Sequence, residues 1–304
     1  MLSRSKVESV ELNGTELFFS INSEAVDKPV ILYVHGGPGD ACVPLTKKYN
    51  SELEDDFTFV NLEQRGSGLS YYPFPESEKG QLVIEDMVED IYLFTLYLLE
   101  RLNQKKLILM GHSWGSVLGL LFIQKYPEFV SYYVGIGQVV NMKKNIEYQR
   151  AFLKDKMPQN DFIDQLDLEG NLFDSSLILT KKIVSFGGSV YGAKNYRQLT
   201  LPFIFSKDYS LRNLIHRIKG SNQSIHYFWM ELLDIDFESC RRFEVPILFC
   251  EGKNDYHVSS DLVSKYAKTI ETENDIIWFE KSAHFPQWEE SGKFNRVIKE
   301  LFAK

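Results

Sequence analysis

The chain is poor in the features that would tie it to a membrane, a nucleic acid or an oxidising compartment. No stretch approaches the ~18 uninterrupted apolar residues that a bilayer-spanning helix needs, and residues 1–8 hold no apolar run of the kind a secretion segment carries. Cysteine is scarce. Cys42, Cys240 and Cys250 are odd in number, far apart and without a Cys-x-x-Cys spacing, so neither a disulfide framework nor a zinc site is expected, and the three read as reduced thiols of a cytoplasmic protein. Lys and Arg number 34 against 42 Asp and Glu, for a net charge of −8 with no basic cluster. That balance excludes nucleic acid as a partner and electrostatic docking on anionic lipid. Neither His-x-x-x-His nor His-Glu-x-x-His occurs, so no metal and no cofactor is called for.

What the chain does have is a sizeable apolar fraction, 44% of 304 residues, enough for one large domain or one domain with an insertion. Apolar and polar residues alternate across residues 7–22 on both sides of Asn13-Gly14, a hairpin signal. A continuous apolar run at 30–34 reads as a strand buried on both faces and 57–62 as another inner strand, and the apolar runs at 107–110, 130–136, 246–250 and 276–279 read as further strands. Helical periodicity lies between them at 82–102, after 115, at 259–270 and from about 294. Alternation of strand and helix implies right-handed crossovers and a mostly parallel α/β sheet. From 138 to 242 the inner-strand pattern stops and aromatic, charged, helix-like sequence takes over. We therefore expect core segments 1–137 and 243–304, with 138–242 as an inserted helical cap.

The apolar run at 107–110 ends abruptly in Gly111-His112-Ser113-Trp114-Gly115. A serine on a sharp strand-to-helix turn needs small residues two before and two after it, and the turn lifts its hydroxyl clear of the backbone at a helix N-terminus. Ser113 is the candidate nucleophile. A serine hydroxyl needs a base, and the base an orienting acid. In an open α/β sheet both should follow strands. Asp255 follows the strand at 246–250 and His284 the strand at 276–279, in the chain order that accompanies such a serine turn. Asp261 and Glu280 are fallback acids. Among the other histidines, His35 is expected to prop a loop, His112 sits too close to the serine, His216 and His226 fall in the cap, and His257 is only two residues from Asp255. The backbone amides of Trp114 and of Gly37, in the glycine-rich loop 35–39, are the expected oxyanion donors.

His35-Gly36-Gly37-Pro38-Gly39, Gln64-Arg65-Gly66-Ser67-Gly68, Gly111-His112-Ser113-Trp114-Gly115-Ser116, Gly252-Lys253-Asn254-Asp255 and Ser282-Ala283-His284 together resemble the proline iminopeptidase family of α/β-hydrolases. The matches run from about 30 to 290 but skip the cap. The resemblance implies an α/β-hydrolase core with a helical cap, no cofactor, and removal of an N-terminal residue, often proline, from short peptides. Two positions depart from the family. Glu63 stands where Asp is usual before Gln-Arg-Gly, and Ser224-Ile225-His226-Tyr227-Phe228 lacks the glutamate that the family uses near the cap to hold the substrate amine. Glu231, Asp234 and Asp236 lie just beyond; of these Glu231, beside Phe228 and Trp229, is the expected substrate-binding carboxylate. The function expected is a serine aminopeptidase acting on small peptides. The alternatives are a carboxylesterase or other small ester or amide hydrolase, and, from another class, a non-catalytic ligand receptor on the same scaffold. The sequence does not fix an oligomeric state.

Overall fold

A computed structural model describes residues 3–75, 82–158, 163 and 172–303. The strands are β1 (Lys6–Leu12), β2 (Thr15–Ile21), β3 (Val30–Val34), β4 (Thr58–Glu63), β5 (Leu107–His112), β6 (Val130–Ile136), β7 (Ile247–Gly252) and β8 (Asn274–Phe279). The helices are α1 (Val43–Tyr49), α2 (Ile84–Arg101), α3 (Trp114–Lys125), α4 (Met142–Lys156), α5 (Leu172–Ser185), α6 (Arg197–Ile204), α7 (Leu211–Leu233), α8 (Ser260–Ala267), α9 (Pro286–Glu289) and α10 (Ser291–Phe302). The strands form one sheet in the order β1-β2-β4-β3-β5-β6-β7-β8. Pairing is antiparallel at β1–β2 and β2–β4 and parallel throughout the rest.

The hairpin joining β1 and β2 turns on Asn13 and Gly14, whose φ angles of 49° and 70° suit a two-residue loop matched to the twist of its strands. The inner strands are apolar without interruption because both faces of the sheet are covered. Val30, Leu32 and Val34 point into a layer shared with α2, α3 and α8; Ile31 and Tyr33 point the other way, toward α1, α9 and α10. Each such buried side chain contributes roughly 1.5–3 kcal/mol over an exposed one. Among the described residues no helix is long and apolar enough to cross a membrane.

Two details differ from expectation. Helix α1 carries no signal that we read in the sequence, and its first turn opens with Pro44. The terminal helix starts earlier than 294, as α9 followed directly by α10.

Strand order places the site. The chain leaves β3 for β4 on one side and returns to lay β5 on the other, so the carboxyl ends of β3 and β5 lie side by side with Val34 opposite Gly111. A crevice at this reversal is where open α/β sheets bind ligands. Helices α4 to α7 stand between β6 and β7 in the chain.

Candidate active site

Ser113 sits between β5 and α3 with φ 52° and ψ −118°, a backbone conformation that a non-glycine residue rarely adopts. Its neighbours explain why the turn is written with glycine. A Cβ on Gly111 would run into Gly115 O, and one on Gly115 would run into Val34 O and His35 O. Ser113 is 9% exposed and lines a cavity of about 360 Å³. Among the described residues, no protein group is hydrogen-bonded to its hydroxyl in the resting chain.

His284 lines the same cavity, with its Nδ1 2.8 Å from Asp255 Oδ2. Asp255 Oδ1 accepts from the amides of His257 and Val258, both at 2.9 Å. These bonds orient the carboxylate and assign the Nδ1–H tautomer to His284, which leaves Nε2 as the free base nitrogen. Burial drives the His284 imidazole down to about 3, so the ring is neutral at rest. Burial also lifts Asp255, to about 7, against the pull of His257 and the two amides. The fallback acids are elsewhere: Asp261 is exposed at the start of α8, and exposed Glu280 pairs with Lys253.

Two further imidazoles flank His284. His257 stacks on it at 4.5 Å between ring centroids and 24° between planes, with its own Nδ1 2.9 Å from Ser189 Oγ. His112 lies 4.9 Å away on another side and donates from Nε2 to the His284 carbonyl at 2.9 Å. Both line the cavity, and burial holds both well below the ordinary imidazole range. Two residues from Asp255 in the chain suggested a bystander, but the turn after β7 folds back and lays the His257 ring against His284.

The Gln-Arg-Gly segment is explained by what it ties together. Gln64 Oε1 accepts from Trp114 Nε1 at 2.8 Å, and Gln64 Nε2 donates to His35 O at 2.7 Å. One amide side chain therefore fixes the loop after β3 to the first residue of α3, the two segments that contribute Gly37 and Trp114 to the cavity lining. Gly37 has φ 136°, and a Cβ there would lie 2.6 Å from Gly39 N. Arg65 meets Asp90 of α2 through two bonds of 2.5 Å, anchoring the segment from below.

The substrate-side expectation needs correction. Glu231 lies outside the cavity: its carboxylate accepts from the Ile84 amide at 2.9 Å, satisfying one of the free donors at the start of α2. Exposed Asp234 pairs with Lys143, and exposed Asp236 accepts from the Glu238 amide. Among the described lining residues the charged pair is Asp40 and Arg217. Arg217 of α7 meets Asp40 of the glycine loop through Nε to Oδ1 at 2.5 Å and Nη2 to Oδ2 at 3.1 Å. No spacing in the sequence signals this pair, because its members are 177 residues apart. Glu63, at the departure from the family pattern, is fully buried behind the site. It accepts from the Tyr209 hydroxyl and from the Leu69 amide, and burial lifts it to about 7.

A cavity at the strand ends, an elbow serine and a paired histidine and aspartate are the layout of an α/β hydrolase, and the chain belongs to the alpha/beta hydrolase fold family, whose model matches residues 29–183. It is a hydrolase, and its relatives include a probable aminopeptidase and a proline iminopeptidase. The probable aminopeptidase YbaC of Bacillus subtilis is 29% identical over 96% of this chain and 94% of its own length. The proline iminopeptidase of Thermoplasma volcanium is 23% identical over 100% and 98%. The crystal structure of the Mycobacterium smegmatis proline iminopeptidase shares the fold, with a TM-score of 0.71 over 98% of this chain and 97% of that one at 14% identity.

Proposed function

We propose that the protein is a cytoplasmic serine aminopeptidase of the proline iminopeptidase type, acting on short peptides through an acyl-enzyme, with 138–242 as its cap. The observation that carries the chemistry is the His284–Asp255 pair opening into the cavity lined by Ser113. Ser113 Oγ attacks the scissile carbonyl while His284 Nε2 takes its proton; Asp255 holds Nδ1–H and stabilises the imidazolium as it forms. The Trp114 and Gly37 amides receive the oxyanion, assisted by the positive end of α3. His284 then returns the proton to the leaving amine, and water repeats the sequence on the acyl-enzyme. The match to a probable aminopeptidase and a proline iminopeptidase, each over nearly its whole length, supports the peptidase reading.

One observation favours a second reading, a small-ester hydrolase: Asp40, the carboxylate among the lining residues, is already paired with Arg217. Comparing a prolyl or alanyl arylamide with its N-acetylated form and with a short acyl ester separates the two. Aminopeptidase action requires loss of most turnover on blocking the amine. Equal turnover of free and blocked amides, with faster ester hydrolysis, replaces it with the ester reading.

A further inference from the structure

One face of α7 lines the cavity at intervals of four residues: Arg217, Ser221, Ile225 and Trp229. The stripe is polar at one end and apolar at the other. At the polar end, Arg217 is held from two sides. Its Nε and Nη2 grip Asp40, and its guanidinium lies 4.0 Å from the centre of the Phe203 ring. This leaves Nη1 with no hydrogen-bond partner among the described residues, and it is not among the enclosed unpartnered atoms. Ser221 Oγ, one turn further on, is in the same condition. Two donors one turn apart, one of them cationic, thus stand without a partner among the described residues on side chains that line the cavity, next to the apolar Ile225 and Trp229.

We infer that Arg217 Nη1 and Ser221 Oγ form a subsite for a carboxylate carried by the substrate, so that the cavity selects small molecules with an apolar body and a free acid group. A planar guanidinium already fixed by Asp40 and Phe203 presents its remaining N–H groups without further ordering, and a charge-assisted bond to a carboxylate is roughly twice as strong as a neutral one. Asp40 neutralises Arg217 in the empty cavity and keeps it aimed. A structural latch between cap and core needs only the Asp40 contact; the two open donors are what a latch leaves unexplained. This inference rests on the hydrolase reading of Ser113 but not on the choice between peptide and ester.

The test uses the ratio of kcat/KM for an acid over its uncharged counterpart, measured within each variant so that general damage cancels. One arm compares prolyl-leucine with prolyl-leucinamide, placing the carboxylate on the leaving side. The other compares a p-nitrophenyl hemi-ester of a short diacid with the p-nitrophenyl ester of the monoacid of equal length, placing it on the acyl side. We expect the wild-type protein to favour the acid at least tenfold in one arm, mainly through KM, and that arm assigns the side. Arg217→Lys should cut the ratio about threefold to tenfold, Ser221→Ala about threefold, and the charge-balanced double variant Arg217→Met with Asp40→Asn should bring it to one. Ratios near one in both arms of the wild-type protein, or a ratio that survives the double variant, overturn the subsite. If peptides are not cleaved but the ester arm shows an Arg217-dependent ratio, the subsite stands and the aminopeptidase reading falls; cleavage of both peptides with ratios near one in both arms does the reverse.

Discussion

The two walls of the cavity are built on different principles. The sheet-side wall is made of strand ends and of backbone: a serine in a strained turn, the glycine loop after β3, and a histidine and aspartate each placed one loop beyond a strand. Its geometry is fixed by contacts with no slack, such as Gly115 against Val34 O. The other wall is made of side chains on α4 to α7 and their connections, whose contacts with the core are individually adjustable: the Arg217–Asp40 pair, the Tyr209–Glu63 bond and Gln223 bonded to the carbonyls of Gly66 and Tyr72. A wall of the first kind sets what reaction is possible, because a developing charge needs donors that do not reorganise. A wall of the second kind sets which molecule is presented to it.

The sharpest way to break this division is to damage each wall and ask whether all substrates suffer alike. Ser113→Ala and His284→Ala should each lower kcat by on the order of 10⁶ for every substrate, with the double variant no worse than either single one, because residues acting as one unit are not additive. Asp255→Asn should cost about 10⁴, since the imidazole would then be held in the wrong tautomer. Gln149→Ala, on the wall contributed by α4, should instead alter the ranking of substrates by no more than about tenfold. A loss below tenfold for Asp255→Asn would mean that another acid orients His284. A uniform loss for Gln149→Ala would mean that this helix belongs to the chemistry.

The same division decided what could be read before the structure. Ser113, Asp255 and His284 each follow an uninterrupted apolar run, and a run of that kind announces both a strand and the loop at its end. Side chains on α4 to α7 carry no such marker. Phe228 and Trp229 suggested a shielded Glu231, yet the helix turns that carboxylate to the Ile84 amide while Trp229 lines the cavity. Of the aromatic residues between β6 and β7, Phe205 is 79% exposed, and Phe203 is buried beneath Arg217 rather than in the cavity wall. Periodicity gives a helix its faces but not its rotation against a neighbour, and a contact across 177 residues leaves no trace in a local pattern. The role of Gln64 was hidden for a related reason: a motif shows which residues travel together, and only the fold shows that this one joins two loops.

The glycines provide a second, smaller contrast. Gly115→Ala puts a methyl group into the backbone of the β3 loop and should cost on the order of 2–3 kcal/mol of stability, together with activity on all substrates. Gly220 lies inside α7, where alanine would favour the helix by about 1 kcal/mol. It is glycine because α7 rests there on the core, with a Cβ reaching 2.5 Å from Gly66 O and 3.2 Å from Gly39 O. Gly220→Ala should lift α7 off both loops and carry Arg217 and Ser221 with it. We expect raised KM with thermal stability reduced less than in Gly115→Ala. Equal losses of stability in the two variants would mean that the helical wall is as rigidly specified as the elbow.

The smallest effect concerns Glu63, which joins the two walls through Tyr209. Its carboxyl is raised from 4.5 to about 7 by burial, so the folded chain holds this proton more tightly than the unfolded chain does. The sign follows directly. The stability it contributes is fully present below about pH 4.5, declines as pH rises, and is lost by the time pH has passed about 7. Other buried groups shift the same curve in both directions, Asp255 with Glu63 and the two lowered histidines against it. The informative quantity is therefore the difference between wild type and Glu63→Gln, whose side chain stays neutral. From pH 5 to pH 8 the melting temperature of the Gln variant should gain on wild type by several degrees and then run parallel above pH 8, at roughly 2–4 °C per kcal/mol. Thermal melts in buffers matched for ionic strength would measure it. A difference that does not change with pH would mean that Glu63 is ionised throughout, stabilised by Tyr209 and the Leu69 amide, and that the junction between the walls is a charged one.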